Sequence, residues 1–132
     1  MNEQQCSRLL AADLDSLSGV TFHAAGSSAI GEKPYGVVRF SDFTENITLL
    51  GNYDGTVTVT LRTIPEDTTQ EEVDAWTDQI LSRLASKDSL SIALSGAYSA
   101  AECWNVQVQI SSIADGIRET VVQVSTSLVQ LA

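Results

Sequence analysis

The stretch GTVTVTLRTIPEDTTQEEVDAWTDQILSRLAS, residues 55–86, decides the fold, because two periodicities meet within it. Val57, Val59 and Leu61 alternate with Thr56, Thr58 and Thr60, the period-two pattern of a strand with one buried and one wet face. Pro65 lacks the backbone N–H that a ladder needs and ends that strand. Thr69-Gln70-Glu71-Glu72 then fits a capping box, in which the threonine and glutamate side chains satisfy each other's backbone N–H groups. Val73, Trp76, Ile80, Leu81 and Leu84 fall on one face of the helix that follows. Acids crowd its first half and Arg83 and Lys87 lie near its end, which suits the helix dipole. Glu71, Asp74 and Asp78 share an outer face without nearby Lys or Arg, the pattern of a solvated surface.

Working upstream, Asn52-Tyr53-Asp54-Gly55 carries a turn signal, with Ile47 and Leu49 before it. A two-residue turn at Asp54-Gly55 would set Leu49 opposite Thr60, apolar against polar. A three-residue loop, Tyr53 to Gly55, sets Leu49 opposite Val59 and Ile47 opposite Leu61, with Gly55 left-handed, and is the expected arrangement. Tyr35 to Phe43 is rich in β-branched and aromatic residues and reads as a strand. Its apolar residues occupy both faces, so it is central or lies under a neighbouring subunit. Ala24 to Lys33 has no period and reads as a loop that either orders against a neighbour or stays disordered. Val20-Thr21-Phe22 reads as a short strand. Residues 3–17 form a helix by the spacing of Cys6, Leu9, Leu10, Leu14 and Leu17, with Gly19 placed to cap it.

Downstream, Leu90, Ile92 and Leu94 alternate with small polar residues and predict a strand, and Ser95 to Glu102 a loop. Trp104, Val106, Val108 and Ile110 alternate with polar residues, and Val122 and Val124 resume after Ala114-Asp115-Gly116. A three-residue loop there sets Val108 opposite Val122 and Val106 opposite Val124; a two-residue turn would set Val108 against Gln123. The whole predicts one α+β domain over residues 1–132: an antiparallel or mixed sheet, with one N-terminal helix and one long middle helix packed mainly on one face.

The chain of 132 residues is long enough to bury a core without disulfides or metal. Seventeen acids against seven bases give a net charge of −10, which repels phosphate backbones and anionic lipid, so sequence-specific nucleic-acid binding and membrane attachment are not expected. The polar start and the lack of a long apolar run give no signal peptide or spanning helix. Cys6 and Cys103 lack metal-ligand spacing and read as small, buried or half-buried thiols. The single histidine, His23, has no G-x-S-x-G elbow to serve, and there is no phosphate loop, dinucleotide fingerprint or calcium loop. The expectation is therefore a non-enzymatic protein with no cofactor and no metal. Thr58, Thr60, Gln107, Gln109, Gln123, Ser125 and Ser127 give the sheet a wet face suited to assembly, and Tyr53, Tyr98 and Trp104 are the aromatic candidates for partner contact. Trp104 is equally a core candidate, since it shares the parity of Val106 and Val108.

The full pattern resembles the tail-terminator and head-tail joining (neck) proteins of long-tailed bacteriophages. The matching features are the helix CSRLLAADLDSL at 6–17, the strand PYGVVRF at 34–40 after a loose loop, the strand–proline–helix stretch at 55–86, and closing strands to the C-terminus. The resemblance implies a structural assembly protein whose copies close into a ring, typically a hexamer, that caps the tail and docks other tail or connector proteins. It implies assembly in the host cytoplasm and residence in the virion. It also implies interface roles for the loops at 24–33 and 95–102, and for the strand carrying Tyr35, Val37 and Arg39. The alternative is an acidic secretion chaperone that dimerises around an effector segment, although such chaperones usually end in a helix and this chain ends in a strand pattern.

Overall fold

Among the described residues, three helices lie against one face of a five-stranded sheet, and none lies on the other face. The computed structural model describes residues 3–17, 20–25, 34–45, 52–64, 66, 68–94, 98–113 and 116–130. In chain order the elements are α1 (Glu3–Leu17), β1 (Thr21–Ala24), β2 (Tyr35–Glu45), β3 (Asn52–Thr63), α2 (Gln70–Leu84), α3 (Lys87–Ala93), β4 (Tyr98–Ile113) and β5 (Ile117–Gln130). The strand order is β1-β2-β3-β5-β4, with β1 parallel to β2 and all other pairs antiparallel. The fold class is α+β with a mixed sheet, as expected, but with three helices instead of two.

The core follows from strand alternation. Val38 and Phe40 of β2, Val57, Val59 and Leu61 of β3, and Val122, Val124 and Leu128 of β5 point to one side. There they meet Cys6, Leu10 and Leu14 of α1, Val73, Ile80 and Leu84 of α2, and Leu90 and Leu94 at α3. The expected stripes on the first and second helices are thus the ones facing the core, with Leu9, Trp76 and Leu81 only partly covered and the Leu17 side chain outside the described set. The capping box is present: Thr69 accepts from the Glu72 backbone N–H at 3.2 Å, and the Glu72 carboxylate accepts from the Thr69 N–H at 3.3 Å. Arg83 of α2 reaches Asp13 of α1, Nε to Oδ2 at 3.2 Å, an ion pair without hydrogen-bond alignment.

Two contacts seat α1 on the sheet. β1 pairs with β2 only as far as Val38, and the Ala25 N–H donates to the Val38 carbonyl at 2.8 Å. Beyond that end the Phe40 N–H donates to the buried hydroxyl of Ser7 at 3.0 Å. Likewise the Phe22 N–H donates to the Asp15 carboxylate at 3.1 Å. Phe22 lies opposite Gly36, and a Cβ at Gly36 would stand 2.4 Å from the Phe22 ring, so this strand position admits no larger residue while the ring stays in place.

Four expectations need correction. Tyr53, Asp54 and Gly55 are not a turn; they lie inside β3, opposite Leu128, Ser127 and Thr126 of β5. The hairpin partner of β3 is β2, and the connection at 46–51, with Ile47 and Leu49, lies outside the described residues. A middle strand with ladders on both sides outweighs a local Asp-Gly preference. Leu90 to Leu94 is not a strand but belongs to α3, capped by the Ser86 hydroxyl. Leu90, Ala93 and Leu94 are buried there while Ile92 is 67% exposed, because a five-residue alternation also contains an i, i+3, i+4 set. Tyr98 to Glu102 is strand, the start of β4, not loop.

The closing hairpin has the expected register at its tip: Ile113 pairs with Ile117 and Val108 with Val122, and Gly116 has φ +70°. Val106 does not pair one-to-one with Val124, however. Gln107 pairs with Gln123 but Trp104 with Ser125, so Asn105 and Val106 share one partner position in a bulge, with Asn105 left-handed at φ 54°. The expected Gly19 cap, residues 26–33 of the first loop, and Pro65 fall outside the described residues.

Candidate functional site

The helix-free face of the sheet is built from the alternate residues of the same strands. Across β2, β3, β5 and β4 it reads in rows: Val37, Thr60, Val121, Gln109; then Arg39, Thr58, Gln123, Gln107; then Ser41, Thr56, Ser125, Trp104. At one end Tyr35, Arg62 and Glu119 form a further row. The threonines, Val37 and Val121 are half-buried by their neighbours, whereas Arg39 and the three glutamines are exposed.

Arg62 organises that end. Its Nη1 donates to the Tyr35 hydroxyl and its Nε to the Glu119 carboxylate, both at 3.2 Å. The Tyr35 hydrogen bond is the main reason the guanidinium is held above its ordinary pKa, with burial opposing and Glu119 adding. The practical consequence is positional, since an arginine is charged at any working pH. The pair with Glu119 is partly exposed, so it fixes a side chain more than it stabilises the fold.

Tyr35, Val37, Arg39, Thr58, Thr60 and Arg62 line an open concavity of about 610 Å³, completed by Ala25 and Ser41. Among the described residues its lining holds two guanidinium groups and no carboxylate, in a chain with a net charge of −10. Among the described residues no carboxylate pairs with Arg39. A second, shallower concavity of about 240 Å³ is lined by Thr44, Asp54, Gly55, Thr56, Trp104 and Ser125.

Of the six residues singled out from sequence, Tyr35, Val37 and Arg39 stand together on β2 in the larger concavity, and Trp104 lies on the same face at the smaller one. The bulge at Asn105 and Val106 puts Trp104 there, 37% exposed, out of the core that its parity with Val108 implied. Tyr53 shares the helix side with buried Leu128 and is itself half-buried, so it does not join the others. Tyr98 starts β4 opposite Gln130, and its side chain lies outside the described set. Arg62 was missed, although it continues the even-numbered run of Thr56, Thr58 and Thr60. Of the predicted wet residues, Ser127 is buried at 8% exposure.

Elsewhere the reactive side chains are scattered. Cys6 is buried, Cys103 is half-buried with its Sγ 3.7 Å from the Thr126 hydroxyl, and neither is in a disulfide. His23 sits half-buried on β1 opposite Val37. Among the described residues, no group of three or more His, Cys, Asp or Glu side chains could hold a metal ion, and no helix is long and apolar enough to cross a membrane. What the open face offers is hydroxyl, amide and guanidinium groups on a broad surface, the chemistry of recognition.

No protein-family profile matches the chain, and no curated protein sequence does. Its fold is similar to that of a chain in a solved structure described as "Virion of native gene transfer agent (GTA) particle". That match has a TM-score of 0.59 over 96% of this chain and 95% of the other, at 11% identity. The two chains share a fold from end to end, at an identity that carries no residue role across.

Proposed function

We propose that this protein is a structural subunit of a phage-like virion, placed at the tail or the head-tail junction, where its copies form a tail-terminator-like ring. One observation carries the reading: the end-to-end likeness in fold to a chain of the gene transfer agent virion. The open sheet face adds support, because a polar, half-buried surface keeps a subunit soluble before assembly and offers hydrogen bonds after it. The role is one of assembly and not of catalysis. The partners are further copies of the chain, with a hexamer as the expected ring, and other tail or connector proteins. The protein is made in the host cytoplasm and ends in the virion.

The decisive test is mass spectrometry of gradient-purified particles from cells that make the protein, together with native mass spectrometry of the isolated chain. Recovery of the chain in particles at a fixed copy number, and closed rings in isolation, are the expected results. Absence from particles combined with a tight, concentration-independent dimer overturns the reading and favours a chaperone.

A further inference from the structure

Resting on the virion-subunit reading, we infer that the concavity holding Arg39 and Arg62 is the docking site for the acidic outer face of α2 from a second copy of this chain. The two surfaces carry opposite charge within a single molecule. Among the described residues the concavity is lined by two cations and no anion; Glu119 beside it already pairs with Arg62, and Arg39 has no ion pair. The strongest run of the opposite sign is on α2, where Glu71, Asp74 and Asp78 are all exposed. Among the described residues none of these three forms an ion pair.

The spacing agrees. Arg62 stands opposite Tyr35, four residues from Arg39 along β2, a rise of roughly 13 Å. Glu71 to Asp78 rises about 10.5 Å along the helix, with Asp74 between them. Long arginine side chains close that difference. Arg62 spends Nε and Nη1 within its own chain and keeps Nη2 for a partner carboxylate. Arg39 is exposed and brings its whole guanidinium.

The two surfaces lie on opposite sides of the molecule, since α2 packs in the helical layer and the concavity opens on the other face of the sheet. One copy therefore cannot offer both to the same neighbour. The contact is front to back, each copy passing a free helix to the next, and such contacts generate closed rings or filaments and not two-fold dimers.

Two variants at exposed positions isolate the contact: Arg39→Glu, and Asp74→Ala combined with Asp78→Ala. Circular dichroism and thermal melting check that each still folds. In sedimentation velocity at low salt, wild type self-associates and dissociates as salt rises, while each variant alone associates about tenfold more weakly or worse. Mixing the variants gives a 1:1 heterodimer that grows no further, because one intact concavity meets one intact helix and the remaining surfaces are both blocked. Unchanged assembly of both folded variants overturns the contact, as does a mixture that forms no heterodimer, or wild type that stays monomeric at low salt. Loss of duplex-DNA binding in Arg39→Glu with assembly intact overturns it too, assigning the cations to phosphate. If the chain is found in particles while both variants assemble normally, the virion reading stands and this contact falls. If the heterodimer forms while the chain is absent from particles, the reverse holds.

Discussion

The two faces of the sheet are made by the same strands and do opposite things. On β3, Val57, Val59 and Leu61 are at most 1% exposed under the helices, while Thr58, Thr60 and Arg62 between them remain half-exposed on the open side. Burial of apolar surface stabilises the first face; the second is held in place by it at almost no energetic stake of its own. Neighbouring residues in the chain thus separate stability from recognition, and substitutions one position apart should report on different properties.

The largest expected effect is on the covered side. Leu61→Ala should cost about 2–5 kcal/mol by lost transfer energy and the cavity left behind. Thr60→Ala, one residue away, should stay within about 0.5 kcal/mol. Urea unfolding measures both, and a Thr60→Ala cost comparable to that of Leu61→Ala would break the comparison. Next in size is Gly36→Ala, which drives a methyl into the Phe22 ring and should cost about 1–3 kcal/mol. A Phe22→Leu background should recover part of that loss, and strictly additive losses in the double-mutant cycle would show the ring is not the obstacle. Ser7→Ala leaves the buried Phe40 N–H without its acceptor, at a cost of about 1–3 kcal/mol, with faster exchange of that amide as the direct readout. The smallest effect belongs to the open face: Glu119→Gln should change stability by no more than about 1 kcal/mol, and salt should shrink even that.

Much of the covered face was legible in the sequence because its signals are local or periodic. The Thr69–Glu72 box and the stripe from Val73 to Leu84 depend on spacing within one helix. The register of Val108 against Val122 follows from loop parity alone. Two misreadings arose, one where distant pairing outranks local preference and one where the local signal is ambiguous. Asp54-Gly55 reads as a turn until the ladders of β2 and β5 on either side of it are known. Leu90 to Leu94 is too short for its period to distinguish strand from helix. The open face was legible as a wet surface, and Tyr35, Val37 and Arg39 as a two-sided strand. Arg62 went unnoticed because the concavity forms only once β2 and β3 are aligned. Parity could not place Trp104, since one extra residue in a strand reverses every assignment before it.

β4 is an outer strand of the sheet, and it departs from simple pairing with β5 at two points, between Ala100 and Glu102 and between Trp104 and Gln107. Trp104, Val106 and Val108 on this margin are all more than a third exposed, the composition of a segment prone to stick. An incoming strand can keep step with it over no more than the seven residues Gln107–Ile113 before the ladder slips. The same irregularity that turns Trp104 to the open face therefore guards the chain against fibrous misgrowth, leaving ordered contacts to side chains and denying the backbone a template.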